Sequence, residues 1–202
     1  SSASIGNHSF DGCTALTDYS VENNVISSVG EYAFHNCSSL KTLPAFNLTE
    51  IKNHAFDNCS SLLITPDLTN VASVGNYAFE GCNALSEVGP LNGCAAFGAG
   101  VFSSCENISK IAITFKQNLE AFYVSSFFKG TSDPEKYYEA SDKRGSTYYV
   151  PLALKEIEFT ATAKVPDYFL YGLTSVTKVV DKSTSSASIG NHSFDGCTAL
   201  TD

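Results

Sequence analysis

The sequence predicts an α/β solenoid made of coils of about 23 residues, each with one short parallel strand and a short helical turn opposite it. Three observations support this. A twelve-residue template recurs along the chain, and a short stretch of alternating apolar and polar residues follows most copies. The first eighteen residues, SSASIGNHSFDGCTALTD, return unchanged as residues 185–202, which lays a period of 184 residues over the shorter one.

The template reads IGNHSFDGCTAL at 5–16, VGEYAFHNCSSL at 29–40, IKNHAFDNCSSL at 51–62 and VGNYAFEGCNAL at 74–85. FGAGVFSSCENI at 97–108 is a looser copy. VPDYFLYGLTSV at 165–176 is looser still, with Leu170 in the Phe column and Leu173 in the Cys column. IGNHSFDGCTAL comes back at 189–200. The Phe column runs Phe10, Phe34, Phe56, Phe79 and Phe102, at spacings of 24, 22, 23 and 23 residues, then Leu170 and Phe194. One such unit is too small to bury its own apolar face, so the units must stack.

Within each coil the strand is expected after the Leu: LKTL from Leu40, LSEV from Leu85, ISKIAI from Ile108 and VTKVV from Val176 alternate as a half-buried strand does. The EYAF and NYAF stretches, with Ala before Phe, read as a single helical turn on the other side. Gly30, Gly75 and Gly98 mark sharp turns.

These residues resemble the BspA-like leucine-rich repeats, whose template is IG-x-x-AF-x-x-C-x-x-L at about 23 residues. The likeness covers nearly the whole chain, so 1–202 is expected to be a single leucine-rich-repeat solenoid of about seven coils plus a partial repeated coil, with 185–202 an identical copy of 1–18. Residues 127–176 resemble the irregular coil of that family. The chain departs from the pattern at Lys52 in the Gly column and at Thr131 and Leu173 in the Cys column. The resemblance implies a secreted or surface-attached microbial or protist protein with an adhesive or binding role and no catalysis.

Phe128 to Leu170 is 42 residues, one coil plus an excess that falls at 131–147. That excess is polar and charged, so it is expected to project as an inserted loop or hairpin. Tyr137, Tyr138, Tyr148 and Tyr149 flank it. Two readings stand: a solvated cover over the side of the solenoid, or a lateral contact with a partner through these tyrosines.

Six of the seven cysteines share one column: Cys13, Cys37, Cys59, Cys82, Cys105 and Cys197. Cys favours burial, and parallel side chains on successive coils are poorly aimed for a disulfide, so a ladder of buried, reduced thiols is expected. No C-x-x-C pair suits zinc. Cys94 falls in an apolar column eight residues before Phe102 and is read as core. His8, His54 and His192 share the column two before Phe with Tyr32, Tyr77 and Tyr168, which reads as a surface aromatic stripe. His8 and His54, roughly 10 Å apart at two coils, are too far apart to share a metal. Asp11, Asp57 and Glu80 follow Phe and read as a solvated stripe. No nucleophile-elbow, zinc-protease or phosphate-loop motif is present, and no catalytic residue, metal or cofactor is expected.

Asn7, Asn36, Asn47, Asn58, Asn107 and Asn191 head N-x-S/T sequons and are candidate glycan acceptors in a secreted chain. A hydrophobic content of 43% with 16% charged residues excludes disorder. A net charge of -9 argues against nucleic acid or anionic membranes as partners, and no apolar run is long enough to span a bilayer. The chain lacks an initiating Met and a signal peptide, as a mature or excised segment would. It opens and closes inside identical coils without polar caps, so the expected partner is a copy of itself, head to tail, in a tandem array or filament at the cell surface. The alternative is a monomeric adhesin that binds a host or matrix protein or glycan through the sheet face or the 131–147 loop.

Overall fold

The computed structural model describes residues 2–22, 25–92, 96–115, 122–130, 133–161, 164–184 and 187–201. Its strands are β1 Ala3–Ile5, β2 Ile26–Val29, β3 Glu50–Ile51, β4 Ser73–Val74, β5 Glu87–Asn92, β6 Ala96–Phe97, β7 Lys110–Phe115, β8 Tyr137–Ser141, β9 Thr147–Pro151, β10 Glu156–Ala161, β11 Lys164–Val165, β12 Lys178–Asp181 and β13 Ser188–Ile189. They wind as a β-solenoid. One parallel sheet runs β1-β2-β3-β4-β6, a second runs β12-β10-β7-β5, and β11 pairs in parallel with β13. Among the described residues only β8 and β9 are antiparallel.

The stretches after the Leu form β5, β7 and β12, as expected, except at LKTL, where Thr42 makes only a single bridge to Asp18. A second set of strands stands just before the template Gly, where a branched apolar residue follows polar ones, as in ISSV of β2. The coil thus has two sheet-forming sides, not the single strand expected. The expected helical turn is absent: among the described residues the one helical element is a 3-10 turn at Val124–Phe127. The reason is local. Tyr32 and Asn36, on either side of Phe34, have φ of 54° and 58°, and this left-handed backbone interrupts any right-handed helix. Every copy repeats the pattern. His8, His54, Tyr77, Tyr168 and His192 take the first left-handed position; Asn58, Ser104, Gly12, Gly81, Gly172 and Gly196 take the second. The small or amide residue just before each Cys column is therefore a conformational requirement of the turn.

Between the two left-handed residues the chain is extended enough to bond to the next coil. The N–H groups of Phe10, Phe34, Phe56, Phe79 and Phe102 donate to the carbonyls of Ala33, Ala55, Ala78, Val101 and Phe127 at 2.8 to 2.9 Å. This sets the phenyl rings one above another. Phe10, Phe34, Phe56, Phe79 and Phe102 stack with centroids 4.9, 5.3, 5.1 and 5.5 Å apart, and Phe127 meets Phe102 edge-on at 5.6 Å. The Cys and Leu columns close the same core: Cys37, Cys59, Cys82 and Cys105 are buried beside Leu40, Leu62, Leu85 and Ile108. Gly75 and Gly98 pass so close to the previous coil that a Cβ would collide with the backbone nitrogens of Asn53 and Asn76. Lys52 fills that column in the third coil and keeps the register, its N–H donating to the Val29 carbonyl at 3.0 Å.

Phe56→Ala, which empties the middle of the ring stack, is expected to cost about 3–5 kcal/mol. Phe56→Leu, which copies the residue at 170, should cost about 1 kcal/mol. Gly98→Ala should cost about 1–3 kcal/mol through overpacking. Shifts in urea unfolding midpoint at unchanged slope measure all three.

Candidate functional site

Four columns and one insertion carry much of the polar chemistry of this molecule. The first column is the thiol ladder. Each buried Cys donates its S–H to the carbonyl of the Phe-column residue one coil back: Cys37 to Phe10 at 3.1 Å, Cys59 to Phe34 at 3.1 Å, Cys82 to Phe56 at 3.2 Å and Cys105 to Phe79 at 3.0 Å. Cys197 bonds Leu170 in the same way at 3.1 Å. Burial raises these thiols, to about 11 for Cys37 and Cys197 and further for Cys59, Cys82 and Cys105. Such groups are poor nucleophiles and poor metal ligands, because both roles need the thiolate. Cys13, in the same column, is exposed, and all six are free thiols. Cys94 lies outside the described residues.

The second column is aromatic. His8, Tyr32, His54 and Tyr77 stack face to face, with centroids 5.1, 4.7 and 5.3 Å apart. The stack stops at Gly100, which takes the same left-handed position with φ of 63°. It resumes with Tyr123, Tyr168 and His192, each pair 5.3 Å apart. A left-handed Tyr or His costs roughly 1–2 kcal/mol, and each stacked pair returns about 0.5–1.5 kcal/mol. Stacking thus offsets much of the strain at a half-exposed position.

The third column follows Phe. Asp11 Oδ2 lies 2.9 Å from His8 Nδ1 and Asp11 Oδ1 lies 2.8 Å from His35 Nδ1, and these contacts hold the Asp11 carboxyl below its usual range. His54 and Asp57 pair at 3.0 Å, His192 and Asp195 at 2.6 Å. The expectation of a solvated stripe fails here at Asp57, whose side chain is only 9% exposed. Coil stacking buries it between the third and fourth coils, whose Asn58 N–H and Glu80 carbonyl are bonded at 2.7 Å.

A ladder unforeseen in the sequence lies beside these columns. The side-chain oxygens of Asn7, Asn53 and Asn76 accept from the backbone N–H groups of Glu31, Asn76 and Ala99 one coil on, at 2.9, 2.9 and 2.8 Å. Its signal was the recurrence of Asn two residues after the branched apolar position, at 7, 53, 76 and 191.

The insertion is a hairpin, β8–β9, with its turn at 142–146. Asp142 anchors the turn. Its Oδ1 accepts from the backbone N–H of Arg144 and Ser146, and its Oδ2 accepts from the Arg144 guanidinium and the Tyr148 hydroxyl, at 2.8 to 3.2 Å. Burial alone would raise the Asp142 carboxyl; these donors outweigh it and hold it low. Tyr137 and Tyr148 are buried on opposite faces of the hairpin, so neither ring offers a partner much surface. Tyr138 and Tyr149 are half-buried, and Ser175 Oγ donates to the Tyr138 hydroxyl at 3.4 Å. Between hairpin and solenoid lies a cleft of about 500 Å³ lined by Phe97, Gly98, Lys129, Arg144, Thr147 and Tyr148.

The family model described as the BspA-type leucine-rich repeat region matches in six copies, over residues 3–133 and 146–202. The chain belongs to that family. The match skips 134–145, which holds all of strand β8 and most of the hairpin turn. No curated protein matches this chain. Among solved structures it is similar to a leucine-rich repeat protein of Treponema pallidum, with TM-score 0.52, 20% identity, and coverage of 98% of this chain and 72% of that one. It is similar also to a leucine-rich repeat protein of Bacteroides ovatus (TM-score 0.52, 22% identity, 98% and 69% coverage). A leucine-rich cell surface protein of Faecalibacterium prausnitzii gives TM-score 0.50 at 18% identity, with 98% and 69% coverage. At these identities the likeness speaks for the leucine-rich repeat fold alone.

Within this fold the sequon asparagines differ in setting. Asn7, Asn47, Asn58, Asn107 and Asn191 are exposed, and Asn36 is half-buried in a left-handed turn. Asn107 Nδ2 donates to the Asn83 carbonyl at 2.8 Å, a bond that a glycan on that nitrogen would disturb. No helix among the described residues is long and apolar enough to cross a membrane.

The thiol ladder predicts a pH response. These thiols ionise near 9 when unfolded and higher when folded, so above pH 9 the native state holds more protons than the unfolded state and stability falls. Their contribution should be complete below about pH 9 and decline as pH rises toward 11. Alkylation of the native chain at pH 8 should label Cys13 while sparing Cys37, Cys59, Cys82 and Cys105; rapid labelling of those four would contradict the buried ladder.

Proposed function

We propose that this leucine-rich repeat protein is a non-catalytic structural or adhesive protein of the cell surface, a length of a continuous solenoid that stacks head to tail with the same 184-residue period. One observation carries the reading. The coil IGNHSFDGCTAL occurs twice and makes opposite halves of the same contacts. At 5–16, the N–H groups of His8, Phe10 and Gly12 donate to the carbonyls of Glu31, Ala33 and His35, and His8 stacks on Tyr32. At 189–200, the carbonyls of Asn191, Ser193 and Asp195 accept from Tyr168, Leu170 and Gly172, and His192 stacks on Tyr168. One sequence therefore suits both neighbours, as an internal coil of an array must. The surface location is supported by the family and by the description of the Faecalibacterium protein as a cell surface protein.

A second reading rests on the hairpin. In a chain of net charge -9, the cleft beside it gathers Lys129 and Arg144 next to Phe97 and Tyr148, a lining suited to an acidic group on a host protein or glycan. Shortening the turn at 142–146 separates the two. Lost ligand capture with assembly intact favours the monomeric adhesin.

Seven rises at ~4.8 Å give an expected axial repeat of roughly 34 Å. Native material should show that repeat by fibre diffraction or electron microscopy, and its chain mass should extend in steps of the 184-residue period. Discrete monomers without an axial repeat would contradict the array.

A further inference from the structure

Asp57 is the anomaly of the column that follows Phe. Its side chain is nine-tenths buried, yet Oδ1 has no hydrogen-bond partner among the described residues. A buried acceptor left without a donor is destabilising, and more so when charged. Its neighbour worsens the problem. Glu80, one coil on, is half-buried, and its carboxyl is raised by burial first and then by repulsion from Asp57. Two carboxylates have thus been drawn together beside the imidazoles of His54 and His35, with no Lys or Arg paired to either among the described residues.

We propose that His54, Asp57 and Glu80 bind one divalent transition-metal ion. One ligand atom from each lies within 4.8 Å of the others. In the tetrahedral geometry that zinc prefers, bonds of about 2.0–2.2 Å place two donors about 3.3–3.6 Å apart, so loading draws these atoms together from separations of up to 4.8 Å. Two carboxylates and one imidazole select zinc, cobalt, nickel, manganese or iron over calcium and magnesium, which prefer all-oxygen sets. His35 adjoins the set, its Nε2 3.8 Å from Asp57 Oδ2. Its Nδ1 is held 2.8 Å from Asp11 Oδ1, which turns Nε2 toward Asp57, as an outer carboxylate orients a ligating imidazole. An ion here would give Asp57 Oδ1 a partner, neutralise the Glu80–Asp57 repulsion and tie two coils together. The site differs from the pair at His192 and Asp195, beside which the neighbouring coil presents Tyr168 and Tyr171. The inference stands independently of the array reading.

The test uses the full chain, untagged and stripped of metal, titrated with Co²⁺ and then Zn²⁺. Expected are one Co²⁺ per chain with visible ligand-field absorption, displacement by Zn²⁺, and a melting temperature raised by Zn²⁺. Two variants copy residues that other coils already carry in these columns: His54→Tyr follows Tyr32 and Tyr77, and Glu80→Ser follows Ser103. Each should fold without metal and bind Co²⁺ at least tenfold more weakly. Asp11→Asn should weaken binding about tenfold at unchanged stoichiometry, and His192→Tyr should leave it unaltered. If either column-matched variant fails to fold, Asp57→Asn, nearly isosteric, replaces it and is expected to abolish the Zn²⁺-dependent rise in melting temperature. No bound cobalt at millimolar concentration, binding unaffected by these substitutions, or a sulfur-to-cobalt charge-transfer band placing the ion on a cysteine would each overturn the proposal.

Discussion

The structure depends on one hydrogen bond made over and over: the N–H of the Phe-column residue to the carbonyl of the residue before the next Phe. It forms because left-handed residues two before and two after Phe hold the intervening segment in place. Once it forms, every other column follows. The phenyl rings stack, the thiol finds the carbonyl one coil back, and the outer His and Tyr rings fall face to face. Each contact is modest alone. They recur at every coil, so a local change is felt by its two neighbours and little beyond them.

This constraint also determines which polar residues are spoken for. The cysteines are donors to backbone, the asparagines bridge coils, and the aromatic column offsets its own backbone strain. Asp142 serves the hairpin turn. Asp57 and Glu80 remain, the first buried with one oxygen unpaired and the second half-buried beside it, together with Lys129 at the hairpin cleft. These two places are where the molecule has chemistry beyond its own assembly.

Much of the architecture was legible because a solenoid repeats its requirements. The Phe, Cys and Leu columns were readable from spacing, and the structure places them in one continuous core. The strands after Ser86 and Ser109 were readable from alternation. The helical turn was misread because Ala before Phe suggests helix, whereas Tyr32 and Asn36 adopt a conformation that composition hides in non-glycine residues. The second sheet was missed because its strands are only two to four residues long for most of their run, too short for a period to register. In the insertion, Tyr137 and Tyr148 are buried on opposite faces of the hairpin, and the register that places them was not visible in YYEAS and TYYVP. Asp57 was assigned to solvent by its position after Phe. Its burial comes from the neighbouring coil, which a single template cannot show.

The repeated coil joins these observations, since its N–H groups, its carbonyls and both faces of its imidazole ring have partners when its two occurrences are taken together. The most direct measurement is small-angle X-ray scattering from a chain lengthened by one further 184-residue period and joined in the phase of the existing repeat. Continuous stacking predicts that the long dimension grows by roughly 34 Å with an unchanged cross-section. A wider cross-section, or a jointed particle of two separately scattering bodies, would contradict it.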